Sequence, residues 1–292
     1  MKRAVAIAAR NEQRTIASVV MLSREHADRV LVVDDGSTDR TALLARLAGA
    51  EVISHGMNKG KGGAIATALR WAKREDVDVI VFVDGDGQHD PGHIPELLGP
   101  IERGEVDITI GSRWHHDQGL KEMPVHRILG NWVLSQATSL SLSKLIRDSQ
   151  SGFRAFHIRT LDSFLHSMET GFAVESEMIT LADAKGYTWK EVGITAQYDS
   201  LDANTQGSWT HGFSVLGRVM RVLRVHRPVR FFGLLSIMML LLSTGVTVFS
   251  RIMYPGWNLL PPGALFIVVA LYILAGFFFF SGIMLSGVNK LS

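Results

Sequence analysis

The chain has 292 residues, 47% of them apolar, a net charge of +2 and no cysteine. That length holds one large domain or two small ones. The near-neutral charge leaves no global nucleic-acid signal, and the missing cysteine excludes disulfides and thiolate metal sites. Met1-Lys2-Arg3 runs directly into a strand pattern, so no apolar signal core is expected at the start.

Ala4 to Ala9 is a small-residue apolar run that predicts a first strand, ended by Arg10-Asn11-Glu12. Thr15 to Leu22 reads as a helix and Val30 to Val33 as a second buried strand. Asp34-Asp35-Gly36-Ser37-Thr38-Asp39 then caps a helix from Arg40 to Leu47. Glu51 to Ser54 is a short third strand. Asn58-Lys59-Gly60-Lys61-Gly62-Gly63 opens an Ala-rich helix to about Arg74. Val79 to Val83 is a fourth strand, Pro91 starts a helix, and Val106 to Ile110 is a fifth strand. Strand and helix alternate with short connections, which predicts an α/β fold with a parallel sheet covered on both faces. No G-x-G-x-x-G follows the first strand, so a dinucleotide fold is the weaker option.

The fourth strand runs straight into Asp84-Gly85-Asp86-Gly87-Gln88-His89. Side chains alternate along an extended chain, so Asp84 and Asp86 point the same way. Two carboxylates, with Gln88 adding a third oxygen, suit a hard divalent cation. A polar turn after a strand is the plain alternative for a bare Asp-x-Asp. Asp35 follows the second strand, at the same sheet edge, where open α/β sheets bind ligands. The Asn58–Gly63 loop offers backbone N–H groups at a helix start and two lysines, which favours a phosphate; a solvated loop is the alternative. Its spacing is not that of a P-loop. The histidines show no metal-ligand spacing, and His115-His116 reads as exposed loop.

Six segments occur in a characteristic order. They are Ala8-Ala9-Arg10-Asn11-Glu12, Val32-Val33-Asp34-Asp35-Gly36-Ser37-Thr38-Asp39, Asn58-Lys59-Gly60-Lys61-Gly62, Asp84-Gly85-Asp86-Gly87-Gln88-His89-Asp90-Pro91, Gly111-Ser112-Arg113 and Gln150-Ser151-Gly152-Phe153-Arg154. Over roughly residues 3–230 the chain resembles inverting family 2 glycosyltransferases of the dolichyl-phosphate mannose or glucose synthase type. The resemblance implies a GT-A (Rossmann-like) fold with a mostly parallel sheet. By it, Asp84, Asp86 and Gln88 hold Mg²⁺ or Mn²⁺ against a sugar diphosphate, UDP- or GDP-linked. Ala9, Arg10, Asn11, Glu12 and Asp35 hold the nucleoside; Lys59, Lys61 and Asp84 complete the donor site. Asp84, Asp86 and Asp148 are the catalytic acids, with Asp148 approaching sugar or acceptor. Arg113, Arg127, Asn131, Gln150 and Ser151 take the acceptor phosphate; surface charge is the alternative for Arg127. Ala9 stands where the family usually has proline, which bears on the rigidity of the turn.

Met123 to Leu142 and Phe172 to Lys185 read as helices, the second with Glu175 and Glu177 near its start. Those two acids either support the site or complement the helix dipole. Phe231 to Ser250 carries no charge and spans about 30 Å as a helix, the thickness of a bilayer core. Ala264 to Asn289 is a second uncharged run, which predicts a transmembrane hairpin with spans at about 231–250 and 264–288. Phe213, Leu216, Val219, Met220 and Leu223 recur at helical spacing between arginines. They suggest a basic amphipathic helix lying on the membrane surface, or a core helix with a basic outer face. The expected parts are thus a catalytic domain over 1–208, that helix over 209–230 and the hairpin over 231–292. Arg218, Arg221, Arg224, Arg227, Arg230 and Lys290 flank the spans, while the loop between them has only Arg251. Positive-inside counting puts the catalytic domain and both termini in the cytoplasm, and the hairpin leaves a homo-oligomer open.

A phosphate monoester is already anionic near neutral pH, so a lipid-phosphate acceptor needs no general base. The expected reaction is single displacement from an α-linked nucleotide sugar to dolichyl or polyprenyl phosphate, giving a β-linked product. Two other readings stay open: a glycosyltransferase that extends a saccharide, and a non-catalytic membrane-anchored nucleotide-binding scaffold.

Overall fold

The computed structural model describes residues 1–115, 125–169, 175–195, 228–256 and 259–288. Contacts divide the chain into two units, Met1–Leu216 and Gly217–Ser292. Residues 209–227 of the expected surface helix lie outside the description, and 228–230 begin the first long apolar helix.

The first unit is built on a seven-stranded sheet of order β3-β2-β1-β4-β6-β5-β7. Its strands are β1 (Arg3–Ala9), β2 (Arg29–Asp34), β3 (Glu51–Ser54), β4 (Val79–Asp84), β5 (Ile108–Ser112), β6 (Arg154–His157) and β7 (Trp189–Gly193). Six strands run one way. β6 runs antiparallel between β4 and β5, so the sheet is mixed rather than wholly parallel. The fifth strand starts two residues later than its apolar run suggests. Asp107 is instead a brace that accepts from the Thr188 backbone N–H (2.9 Å) and its hydroxyl (2.8 Å) and pairs with Arg159.

Short connections put helices on both faces, as right-handed crossovers require. On one face α1 (Ile16–Arg24), α2 (Thr41–Leu47) and α4 (Ile94–Glu102) cover Val5, Ile7, Val32, Val81, Val83 and Phe153. On the other, α3 (Gly60–Arg74), α6 (Leu161–Glu169) and α7 (Glu175–Ala184) cover Ala4, Ala6, Leu31, Ile80, Phe82 and Phe156. Alternate residues of β1 and β4 therefore feed opposite cores, the period-two rule of a strand buried on both sides. Phe82, Phe156 and Phe164 meet edge to face at 5.7 and 5.3 Å, tying β4, β6 and α6 together. Helix α5 (Val125–Ser139) carries Arg127, whose side chain lies outside the description, and half-buried Asn131.

The second unit holds α8 (Pro228–Met253) and α9 (Pro262–Val288), packed as a hairpin. Both are long and apolar enough to cross a membrane. The first runs three residues past its expected span at each end and takes Arg230 and Arg251 inside the helix, while the second starts two residues early and ends where expected. Ser236, Ser243 and Ser250 are buried at a spacing of seven along the first. A Cβ on Gly282 would meet Pro228 O at 3.2 Å and Val229 Cα at 3.3 Å, so the helices touch backbone to backbone there.

Candidate active site at the carboxyl edge of the sheet

β1, β2 and β4 end side by side, and their following turns are stitched into one platform. Asn11 is left-handed (φ 58°), which turns its N–H to the Ser37 hydroxyl (2.9 Å) and its side-chain oxygen to the Thr38 N–H (2.8 Å). The Glu12 N–H donates to the Thr41 hydroxyl at 2.8 Å. Thr15 donates to the Gly85 carbonyl at 2.7 Å, and the Gly85 N–H donates to Ala8 O at 3.1 Å. A Cβ on Gly85 would stand 2.9 Å from the Ala9 side chain, so glycine is required for β1 and β4 to end this close together. Arg10 is exposed beside this platform.

Asp84 ends β4 half-buried, and Asp86 and Gln88 follow in the same turn, where the Gln88 N–H donates to Asp86 Oδ1 at 3.0 Å. Lys61, in the first turn of α3, places its ammonium 2.8 Å from Asp84 Oδ1 and 2.6 Å from Glu175 Oε1. Burial opposes the charge on Lys61, but Asp84 and Glu175 outweigh it and raise its pKa. Burial likewise pushes the Asp84 and Glu175 carboxyls up, and Lys61 reverses this, holding both below the usual range. Glu175 is therefore part of the site rather than only a dipole partner. Lys59 contributes differently: its backbone N–H donates to Asp35 Oδ1 (2.8 Å) while the residue stays exposed.

The negative side of the platform is under-compensated. Burial, and then Asp86, Asp39 and Asp84, raise the half-buried Glu12 carboxyl to about 7. A cation beside Asp84 and Asp86 answers that repulsion. Among the described residues no three His, Asp or Glu side chains gather as a metal cage. The donor set is two carboxylates with Gln88 nearby, oxygen donors of the kind a hard divalent cation takes.

A buried charge pair lies at the end of β5. Arg113 donates through Nε to Asp148 Oδ2 (2.7 Å) and through Nη2 to Oδ1 (2.8 Å), with its backbone N–H adding 3.1 Å. Asp148 is fully buried; burial raises its pKa, and Arg113 overrides that and keeps it ionised. Arg113, expected on the acceptor phosphate, and Asp148, expected near the sugar or acceptor, are thus locked to each other. His89 is buried nearby, 5.4 Å from the Phe153 ring, and among the described residues neither ring nitrogen has a hydrogen-bond partner. Burial lowers its pKa to about 4, so the ring is neutral.

The Gln150–Arg154 segment is a buttress. Arg154 donates to Ser151 O (2.7 Å), Ser149 O (2.8 Å) and Glu175 O (2.5 Å), and burial brings its pKa down to about 10. Gln150 donates to the Ser149 and Ser176 hydroxyls (2.9 and 2.5 Å), and the Ser151 hydroxyl accepts from the Phe153 N–H at 3.3 Å. Gly152 lies directly on the Asp84–Lys61 pair, leaving no room for a Cβ.

This sheet and its acidic edge define a GT-A-like glycosyltransferase. The chain belongs to the family described as glycosyl transferase family 2, matched over residues 4–165. A UDP-N-acetylglucosamine–dolichyl-phosphate N-acetylglucosaminyltransferase of Methanococcus voltae is 30% identical, over 73% of this chain and 93% of its own length. A polyprenol monophosphomannose synthase of Mycolicibacterium smegmatis is 30% identical over 57% of this chain and 65% of its own. The glucosyl-3-phosphoglycerate synthase of Mycobacterium tuberculosis, solved with Mn²⁺ and UDP-glucose, superposes with a TM-score of 0.56 at 21% identity. It covers 76% of this chain and 78% of that one, a likeness of fold.

Proposed function

We propose that this protein transfers a hexose from a nucleoside diphosphate sugar to a polyprenyl or dolichyl phosphate, with inversion at the anomeric carbon. The observation that carries the reading is the gathering of Asp35, Asp84, Asp86 and Lys61 at one sheet edge, on a chain that also holds two membrane-length helices. The names of the Methanococcus and Mycolicibacterium relatives support the acceptor class.

Asp84, Asp86 and Gln88 are the residues that would hold Mg²⁺ or Mn²⁺, which when bound supplies positive charge to the departing diphosphate. Asp35 and the Ala9–Glu12 turn hold the nucleoside. Lys61 keeps Asp84 ionised and orients it. The acceptor phosphate oxygen attacks the anomeric carbon as the bond to the nucleoside diphosphate breaks, so an α-linked donor gives a β-linked product. Arg127 and Asn131 on α5 carry the acceptor phosphate, and the buried Arg113–Asp148 pair fixes the floor between the two substrates. Basic residues flanking the hairpin support a catalytic unit on the cytoplasmic face.

The test is full-length protein in nanodiscs, given Mn²⁺, a panel of nucleotide sugars and a short-chain polyprenyl phosphate. Mass spectrometry should find a lipid-phosphate hexose, and the anomeric NMR coupling should report β. Transfer that is unaffected by chelator, or that requires a sugar hydroxyl as acceptor, rejects the reading.

A further inference from the structure

One buried hydrogen-bond chain beside the site is unexplained by the transfer chemistry. It begins at Asp35, whose backbone N–H donates to Ala9 O at 2.9 Å. Asp35 Oδ1 accepts twice, from His55 Nδ1–H at 2.7 Å and from the Lys59 N–H at 2.8 Å. A carboxylate only accepts, so the hydrogen lies on Nδ1 of the histidine. His55 is itself buried, its backbone N–H donates to Asp34 O (2.9 Å), and its Nε2 lies 2.9 Å from the Thr67 hydroxyl on α3. Both ends of the ring are therefore tied to separate elements, β2 and α3, and the carboxylate is held in one rotamer. Asp35 Oδ2 has no partner among the described residues.

We infer that His55 is a positioning residue that presents Asp35 to the nucleobase with a single free oxygen, which selects a uridine diphosphate sugar as donor. The inference rests on the proposed nucleoside role of Asp35. Uracil offers one N–H, at N3, between two carbonyls, and one fixed carboxylate oxygen satisfies it. Guanine offers adjacent N1–H and N2–H donors, which call for both carboxylate oxygens, and here Oδ1 is already engaged twice. Cytosine presents a lone pair at N3, which the carboxylate repels. A buried site built for a donor rejects an analogue lacking it strongly, because its own polar group is left unpaired.

The experiment is equilibrium binding of UDP, GDP and CDP, with Mn²⁺, to the full-length protein in detergent. UDP should bind at least ~100-fold tighter than CDP and ~10-fold tighter than GDP. His55→Ala should weaken UDP by ~10-fold and leave GDP unchanged or improved, since Oδ1 is released. His55→Asn should restore the preference, because its amide N–H reaches from the Nδ1 position. Thr67→Val, which loosens the other end of the ring, should fall between. A merely structural role would lower the melting temperature and weaken all three nucleotides together, and that outcome overturns the inference. GDP binding as tightly as UDP to the unaltered protein overturns it too. If no nucleoside diphosphate binds, it is the nucleotide-sugar reading itself that falls.

Discussion

Arg113 grips Asp148 side-on through Nε and Nη2, at 2.7 and 2.8 Å, inside the protein. An arginine so engaged is a structural cation first. Removing one partner of a buried pair strands the other charge, at a cost of about 3–5 kcal/mol.

Arg113→Ala should therefore lower the urea midpoint sharply and impair donor and acceptor alike. Arg127→Ala should behave differently, raising the acceptor KM while donor KM and stability hold. Separate titrations of nucleotide sugar and polyprenyl phosphate, beside denaturation curves, distinguish the two. Equal behaviour of the two variants would sink this division of roles.

Asp86→Asn keeps shape and loses charge. Its Mn²⁺ affinity, read by EPR, should drop by more than the roughly 10- to 100-fold that loss of an outer partner costs. Transfer should vanish while the melting temperature stays within a few degrees. Unchanged Mn²⁺ binding would remove Asp86 from the cation site.

Glu12 should imprint a pH dependence on stability. Its folded pKa, about 7, lies above the ordinary 4.5 because of burial and then Asp86, Asp39 and Asp84. The stability it contributes is present in full below about 4.5 and is lost as pH rises through 7. Glu12→Gln should melt above the parent protein at pH 8 and no higher than it at pH 4. Divalent-cation binding near pH 6.5 should release a proton in the parent and not in the variant, which calorimetry in buffers of different ionisation heat detects.

Gly152→Ala tests the packing on the Asp84–Lys61 pair. Its new methyl displaces those charged ends, so kcat should fall at least tenfold while the core stays intact. Phe156→Ala is the converse: about 3–5 kcal/mol of stability goes with the ring that joins Phe82 to Phe164. An unaltered kcat for Gly152→Ala would show that the pair tolerates the shift.

The elements legible from sequence are those whose chemistry is local. β1, β2 and β4 are uninterrupted apolar runs, and both the Asp34–Asp39 turn and the Asp84–Gln88 turn advertise themselves as acids just past such runs. β6 is not readable this way. Its Arg154 is polar by composition and is buried because two carbonyls of the segment just before it, Ser149 and Ser151, and the distant Glu175 carbonyl meet it. β7, Trp189-Lys190-Glu191-Val192-Gly193, lacks an apolar run because it is an edge strand. In the site, a cation at Lys61 and an acid at Asp84 are visible singly. That Lys61 joins Asp84 to Glu175, and that Arg113 turns to Asp148, depends on tertiary placement that no local spacing encodes. His55 is silent in sequence for the same reason, being a lone histidine after a short strand.

The reversed strand also sets an order of assembly. β1 to β4 arise from the first part of the chain through short connections, and they form a four-stranded platform with β4 at its rim. β4 then waits for β6, which pairs Val79 with His157 only after β5 and α5 have been made. Until then the rim Val79-Ile80-Val81-Phe82-Val83 is an open, apolar strand edge, the kind that recruits other chains. The nascent protein is therefore most prone to aggregate between the synthesis of β4 and that of β6, and insertion of β6 is the event that ends that vulnerability.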